Sequence, residues 1–291
     1  MNGWRLIFVL IFIALWGTST VAPQDADYRI IFASDRDTNA NWQLYTMDAN
    51  GANVTRLTES TTYDYGAAVS PDGTQIAYTE RTENGFTQIY LRNANGSGGK
   101  ALLTTGADPT WSPDGTQIAY TGISANNVDI YIIDATGFNN TRLTTHPAQD
   151  YAPAWSPDGS LIAFKSFRED DTSTSLYVVQ PNGLELRRLS DITSAHTPPV
   201  WSPNSELIAF TRQIDNMPAI HTIDLESGDS RRLSPSDTPD TSPQFTPDGE
   251  SLIFVSVIAG QPEIFRMALD GSDRERLTSN VHWDWLPAII P

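Results

Sequence analysis

Aspartates recur along the chain at one fixed offset from the end of an apolar stretch. Asp64, Asp150, Asp240 and Asp284 stand five residues before Val69, Trp155, Phe245 and Ile289, and His196 holds the same slot before Trp201. In a sixth copy the slot is Gly106, five before Trp111. Gathered carboxylates suit a hard cation, which prefers oxygen ligands, or a basic peptide segment. No Asp-x-Asp-x-Asp loop is present, so the pattern does not specify a calcium site. The architectural alternative is that each aspartate accepts hydrogen bonds and locks one repeat to its neighbour. Aromatic groups accompany the acids: Tyr65, Tyr151 and Trp285 follow their aspartates, and Trp283 precedes Asp284. Rigid aromatic side chains dominate recognition surfaces. His146, His196 and His282 fall in the same class of loop, and could ligate a metal only if those loops converged. His221 stands in register with Tyr131 and Tyr177, which makes it a packing residue.

These offsets come from a repeat. Ser70-Pro71, Ser112-Pro113, Ser156-Pro157, Ser202-Pro203 and Thr246-Pro247 follow one another at steps of 42, 44, 46 and 44 residues. "VSPDGTQIAY" (69–78) and "WSPDGTQIAY" (111–120) are nearly the same decapeptide. The apolar triplet after the turn recurs as Ile76-Ala-Tyr78, Ile118-Ala-Tyr120, Ile162-Ala-Phe164, Ile208-Ala-Phe210 and Leu252-Ile-Phe254, with a further copy at Ile30-Ile-Phe32. Each unit divides into four short strands. The first ends at the Trp or its equivalent, and the "SPDG" turn follows, with Pro fixing φ, Asp bonding its own backbone and Gly supplying φ > 0. The triplet is the second strand, "DIYIID" (129–134) typifies the third with its period of two, and "TRLT" (141–144) the fourth.

Four antiparallel strands per unit, with no helical stretch between units, predict an all-β six-bladed β-propeller. The chain enters at a second-strand sequence, "YRIIFAS", and finishes at "DWLPAII" (284–290), a first strand with no second after it. The C-terminal strand is therefore expected to complete the first blade and close the ring, leaving no open inner edge. In a propeller the slot aspartates line one mouth of the central channel. The second-to-third strand loops share that face and carry Arg36, Arg81, Arg168 and Arg212, for which exposed, individually weak salt bridges are expected. Arg56, Arg142, Arg188, Arg232 and Arg276 belong to outer strands and are structural. The opposite face consists of "SPDG" turns too uniform to encode a specific partner, so the aspartate mouth is the expected binding face.

The unit resembles the TolB-like β-propeller repeat, a WD-like family, most closely in "DYAPAWSPDGSLIAF" (150–164). The resemblance extends over residues 28–291 and implies the same propeller fold. The fold serves periplasmic scaffolds, peptidases and saccharide lyases, so the resemblance leaves function to the site. Peptidases of this type carry an α/β-hydrolase domain, and the residues outside the repeats are too few to build one.

Composition narrows the classes further. The 35 acidic residues against 18 basic ones give a formal charge of −17, a field that repels phosphate backbones and argues against nucleic acid. There is no cysteine, hence no disulfide framework, thiolate metal site or cysteine nucleophile. One Arg precedes the apolar run "LIFVLIFIALW" (6–16), which is shorter than the roughly twenty residues of a membrane span. Residues 1–22 are expected to be a secretory signal, with membrane attachment only if they stay uncleaved, and residues 28–291 the propeller. There is no G-x-S-x-G elbow, P-loop or H-E-x-x-H, and no catalytic residue, cofactor or metal is assigned. The sequence points to an exported, monomeric, noncatalytic scaffold, periplasmic or extracellular, that binds a protein or peptide. A saccharide-binding or saccharide-active propeller is the alternative. The candidate binding residues are Asp64, Asp150, His196, Asp240, Asp284, Tyr65, Tyr151, Trp283 and Trp285.

Overall fold

The structure, a computed structural model, describes residues 28–37, 41–124, 127–169, 173–192, 197–215, 217–235 and 237–290. The described chain forms six four-stranded antiparallel sheets. In chain order, β1 (Arg29–Ser34), β2 (Gln43–Asp48) and β3 (Thr55–Arg56) belong to blade one. Blade two holds β4 (Tyr63–Val69), β5 (Gln75–Arg81), β6 (Thr87–Asn93) and β7 (Ala101–Thr105). Blade three holds β8 (Ala107–Trp111), β9 (Gln117–Ser124), β10 (Asn127–Asp134) and β11 (Thr141–Arg142). Blade four is β12 (Asp150–Trp155), β13 (Ile162–Ser166), β14 (Thr174–Val179) and β15 (Arg187–Ile192). Blade five is β16 (Val200–Trp201), β17 (Leu207–Ile214), β18 (Met217–Asp224) and β19 (Ser230–Arg232). Blade six is β20 (Asp240–Phe245), β21 (Ser251–Ile258), β22 (Gln261–Ala268) and β23 (Glu275–Arg276). The last strand, β24 (Asp284–Ile290), pairs antiparallel with β1 from Arg29↔Ile290 to Ser34↔Asp284. The C-terminal strand thus supplies the inner strand of blade one, and the predicted closure is the one observed.

The recurring decapeptide is an inner hairpin. In the first copy Ser70 Oγ donates to Asp72 Oδ1 at 2.6 Å and accepts from the Gln75 amide, while the Thr74 amide donates to Asp72. The same Ser-to-Asp bond recurs at Ser112–Asp114 and Ser156–Asp158, and from Thr246 to Asp248. Each turn satisfies its own backbone polar groups, so the hairpin is specified locally. The triplets that follow are fully buried and pack between blades. Ala163, Leu176 and Val178 of blade four, for example, meet Trp201, Ile208 and Phe210 of blade five. A side chain of that size contributes about 1.5–3 kcal/mol on full burial. Trp111 and Trp201 add a hydrogen bond across the seam, donating Nε1 to the carbonyls of Ala68 and Ala154.

Inner strands also share a kink. Gly66, Asp108, Ala152, Ser242 and Leu286 adopt positive φ between 50 and 60°, and the pairing register shifts around these positions. These are β-bulges, which bend the strand and re-aim its start. Blade five has Pro198 in that position. Proline is locked near −65° and cannot form the bulge, and β16 is reduced to two residues.

Candidate functional site

The slot residues sit above the bulges, at the face carrying the connections between blades. Asp150, Asp240 and Asp284 are wholly buried, opposite Ser166, Ser256 and Ser34. Each is held by a guanidinium. Arg168 grips Asp150 with two bonds, at 3.2 and 2.6 Å, and Arg274 grips Asp240 at 2.8 and 3.0 Å. Arg36 donates to Asp284 Oδ1 at 2.9 Å and the Asn280 side chain donates to Oδ2 at 2.8 Å. Every arginine lies on a cross-strand aromatic pair: Arg36 on Phe32 and Tyr45, Arg168 on Phe164 and Tyr177, Arg274 on Phe254 and Phe265, all within 6 Å of the ring centroids. The planar cation suits both partners, stacking on rings while forking to a carboxylate.

This corrects the expectation of exposed, weak ion pairs, because the acid in each is fully buried and the arginine at most 21 % exposed. A buried carboxylate requires such a partner. The identities also shift. Arg36 and Arg168 act as expected, but blade six uses Arg274, from the β22–β23 connection, and Arg81 of blade two is exposed. The architectural role considered for the aspartates is therefore realised within each blade rather than between neighbours. Blade three has no room for a side chain in the slot, since a Cβ at Gly106 would lie 2.6 Å from both Thr121 O and the Tyr120 ring. His196 lies outside the described residues.

Blade two departs from the scheme. Asp64 faces Glu80 instead of a serine, and Lys100 pairs with Glu80 while its ammonium sits 4.3 Å from the Tyr90 centroid. Asp64 is 1 % exposed, and its Oδ1 lacks a donor. Desolvation pushes its carboxyl up to about 6, opposed by the hydroxyls of Thr58 and Ser60 and aided by the Glu80 charge. Such a group binds its proton more tightly folded than unfolded. Its contribution is therefore most favourable below the ordinary carboxylate range and is lost as pH rises towards about 6. Asp64→Asn should remove that loss, raising stability near pH 8 by on the order of 3 kcal/mol at most, with little change near pH 4. Denaturant titrations of both proteins across that range measure it.

Aromatic side chains make up the solvent side of this face in blades one and two. Trp42 meets Tyr63 and Tyr65 edge-on at 6.0 and 6.5 Å, and Trp283 meets Trp285 at 6.5 Å. Trp283 is 43 % exposed and Tyr63 37 %. The closing loop is pinned by Asp35, which accepts from the Trp283 amide at 3.0 Å and lies 3.4 Å from His282 Nδ1. Tyr65 lines the channel and Tyr151 packs on Phe167, and burial, then the charge of Asp108, pushes both hydroxyls up to about 12. Sequence reasoning missed Trp42, Tyr63, Asp108, Arg274 and Lys165. Lys165 was legible: it replaces the Thr79, Thr121 and Thr211 of the same register. It is fully buried, and desolvation lowers its ammonium to about 7 against the attraction of Asp108. Among the described residues no three His, Asp or Glu side chains converge on a metal site. His221 is stacked on Phe210 and held neutral near pKa 4 by burial, as a packing residue should be.

Below the bulges runs a channel of about 620 Å³, lined by prolines and by the inner-strand aromatics, and reaching the prolines of the five turns. Six four-stranded blades around such a channel, closed by the C-terminal strand, define a six-bladed β-propeller. The chain belongs to the TolB beta propeller domain family, which it matches over residues 29–216 and 170–291. A TolB homolog protein of Chlorobaculum tepidum is 33% identical over 119 residues, covering 40% of this chain and 26% of that protein. The Tol-Pal system protein TolB of Roseobacter denitrificans is 35% identical over 92 residues, 31% of this chain and 20% of its own length. The matched segments thus span under a third of these relatives. TolB from Acinetobacter baumannii superimposes with a TM-score of 0.77 at 22% identity, over 94% of this chain and 69% of that structure. An oligogalacturonate lyase in complex with manganese gives 0.58 at 18% identity, over 82% and 85%. Both likenesses concern the fold.

Proposed function

We propose that the chain is an exported, noncatalytic scaffold that binds a protein or peptide on the loop face of the propeller. The observation that carries this is a pair of partly exposed aromatic groups, Trp283 with Trp285 and Trp42 with Tyr63 and Tyr65, on a rigid frame. Aromatic anchors held by a fixed framework lose little entropy on binding. The buried carboxylates Asp150, Asp240 and Asp284, neutralised by their arginines, brace the same face as struts, and Asp64 and Tyr151 complete their layer. Export rests on the apolar run at residues 6–16. The name of the R. denitrificans relative makes Tol-Pal proteins the first partners to test.

The test is capture from a native envelope fraction by the wild-type protein and by Trp283→Ala and Tyr63→Ala variants. Both side chains are partly exposed, so each variant should keep its melting temperature while retention of the partner falls about tenfold or more. Equal retention by all three proteins would move the site elsewhere. Binding of oligogalacturonate with no captured protein would replace this reading with a saccharide one.

A further inference from the structure

The face made of the "SPDG" turns has its own recognition chemistry. Pro71, Pro113, Pro157, Pro203 and Pro247 are exposed and ring the channel where it meets these turns. Adjacent turns interlock: Cβ atoms added at Gly159 and Gly249 would lie 3.2 and 3.4 Å from the Pro113 and Pro203 rings. The opening is thus a rigid apolar collar above a cavity of about 620 Å³. Just outside it stand the exposed carboxylates of Asp72, Asp114, Asp158 and Asp248, with Glu206 and Glu250 beside them. Hydrogen bonds from the turn's own hydroxyls and amides hold the four aspartates below the usual carboxylate range. The five turns contain no lysine or arginine.

The three tryptophans at the collar are not held alike. Trp111 and Trp201 lock their indoles to the preceding blade. Trp155 does not: its Nε1 reaches only Gly159 O of its own turn, at 3.5 Å, and the ring is half-buried in the channel wall. Trp155 packs on the core between blades three and four while its other edge lines the apolar opening. An aromatic edge there, inside a ring of fixed negative charge, is complementary to one kind of ligand.

We propose that the turn-side opening of the channel is a second docking site, for a basic polypeptide segment that carries an apolar tip. The tip enters the proline collar against Trp155, and flanking lysines or arginines meet the turn carboxylates. The uniformity of the turns fits selection of a charge pattern rather than of one sequence. The site lies on the opposite face from the aromatic groups and does not depend on them.

A labelled Lys-Lys-Leu-Pro-Leu-Lys-Lys peptide probes the site by anisotropy and by Trp fluorescence, beside a glutamate-flanked version and an all-lysine version. The Asp114→Asn/Asp158→Asn variant is expected to fold, because Asn204 already builds the same turn, accepting from Ser202 Oγ at 2.6 Å. It should bind the basic peptide about fivefold or more weakly, with a shallower dependence on salt between about 50 and about 200 mM. Trp155→Phe should lose most of the fluorescence response, and Trp283→Ala should bind as wild type does. The proposal is overturned if wild type does not bind the basic peptide, or binds the glutamate-flanked one equally. It fails too if the all-lysine peptide binds as well, if the double Asn variant is unaffected, or if Trp283→Ala alone abolishes binding.

Discussion

A chain truncated after Asn280 is expected to show no cooperative unfolding transition. Residues 281–291 contain β24, the inner strand of blade one, so their loss exposes the β1 edge along the channel. It also strands Arg36, whose Asp284 partner is wholly buried in the intact ring, and removes Ala288 from the packing between blades one and two. An unpaired edge and an open ring favour aggregation over a defined native state. Calorimetry of the truncated protein checks this. A single sharp transition at the wild-type temperature would show that closure by β24 does not hold the ring.

Arg168→Met should be the most damaging single substitution on the loop face. Asp150 is 0 % exposed and receives both of its strong bonds from Arg168, which is stacked on Phe164 and Tyr177. Removing the guanidinium leaves a buried charge without a partner, at a cost of about 3–5 kcal/mol, or roughly 10 °C in melting temperature. Adding Asp150→Asn should recover most of the loss, because a buried amide carries no charge. Arg81→Met, at an exposed position, should stay within about 0.5 kcal/mol. If Arg168→Met is as mild as Arg81→Met, the strut interpretation is wrong.

The fold was legible because each blade rewrites the same local chemistry. Ser-Pro-Asp-Gly closes its own turn through Ser70 Oγ and Asp72, and the Ile-Ala-Phe triplet can be buried only by a neighbouring copy. Closure was legible from the ends, since β1 lacked a first strand and β24 a second. The place of the slot aspartates at the starts of the inner strands was legible, but not their environment. An aspartate at a fixed offset looks the same in sequence whether solvent or a guanidinium faces it. That Arg274 reaches Asp240 from a different connection than Arg36 and Arg168 use is a property of side-chain paths, invisible to register. The bulges escaped for a related reason: Ala152, Ser242 and Leu286 carry no local preference for positive φ, so the twist of the closed ring imposes it. Trp42 and Tyr63 were missed because one precedes β2 in blade one and the other starts β4 in blade two, and only the packing of these neighbouring blades brings them together.

Hydrogen–deuterium exchange of the full chain, with and without a partner captured from the envelope, tests the central claim most directly. Binding on the loop face predicts new protection in residues 58–65 and 278–285, around Tyr63 and Trp283, with the turns at 70–74, 112–116 and 156–160 unchanged by that partner. Protection confined to those turns, or to the outer strands, would contradict it.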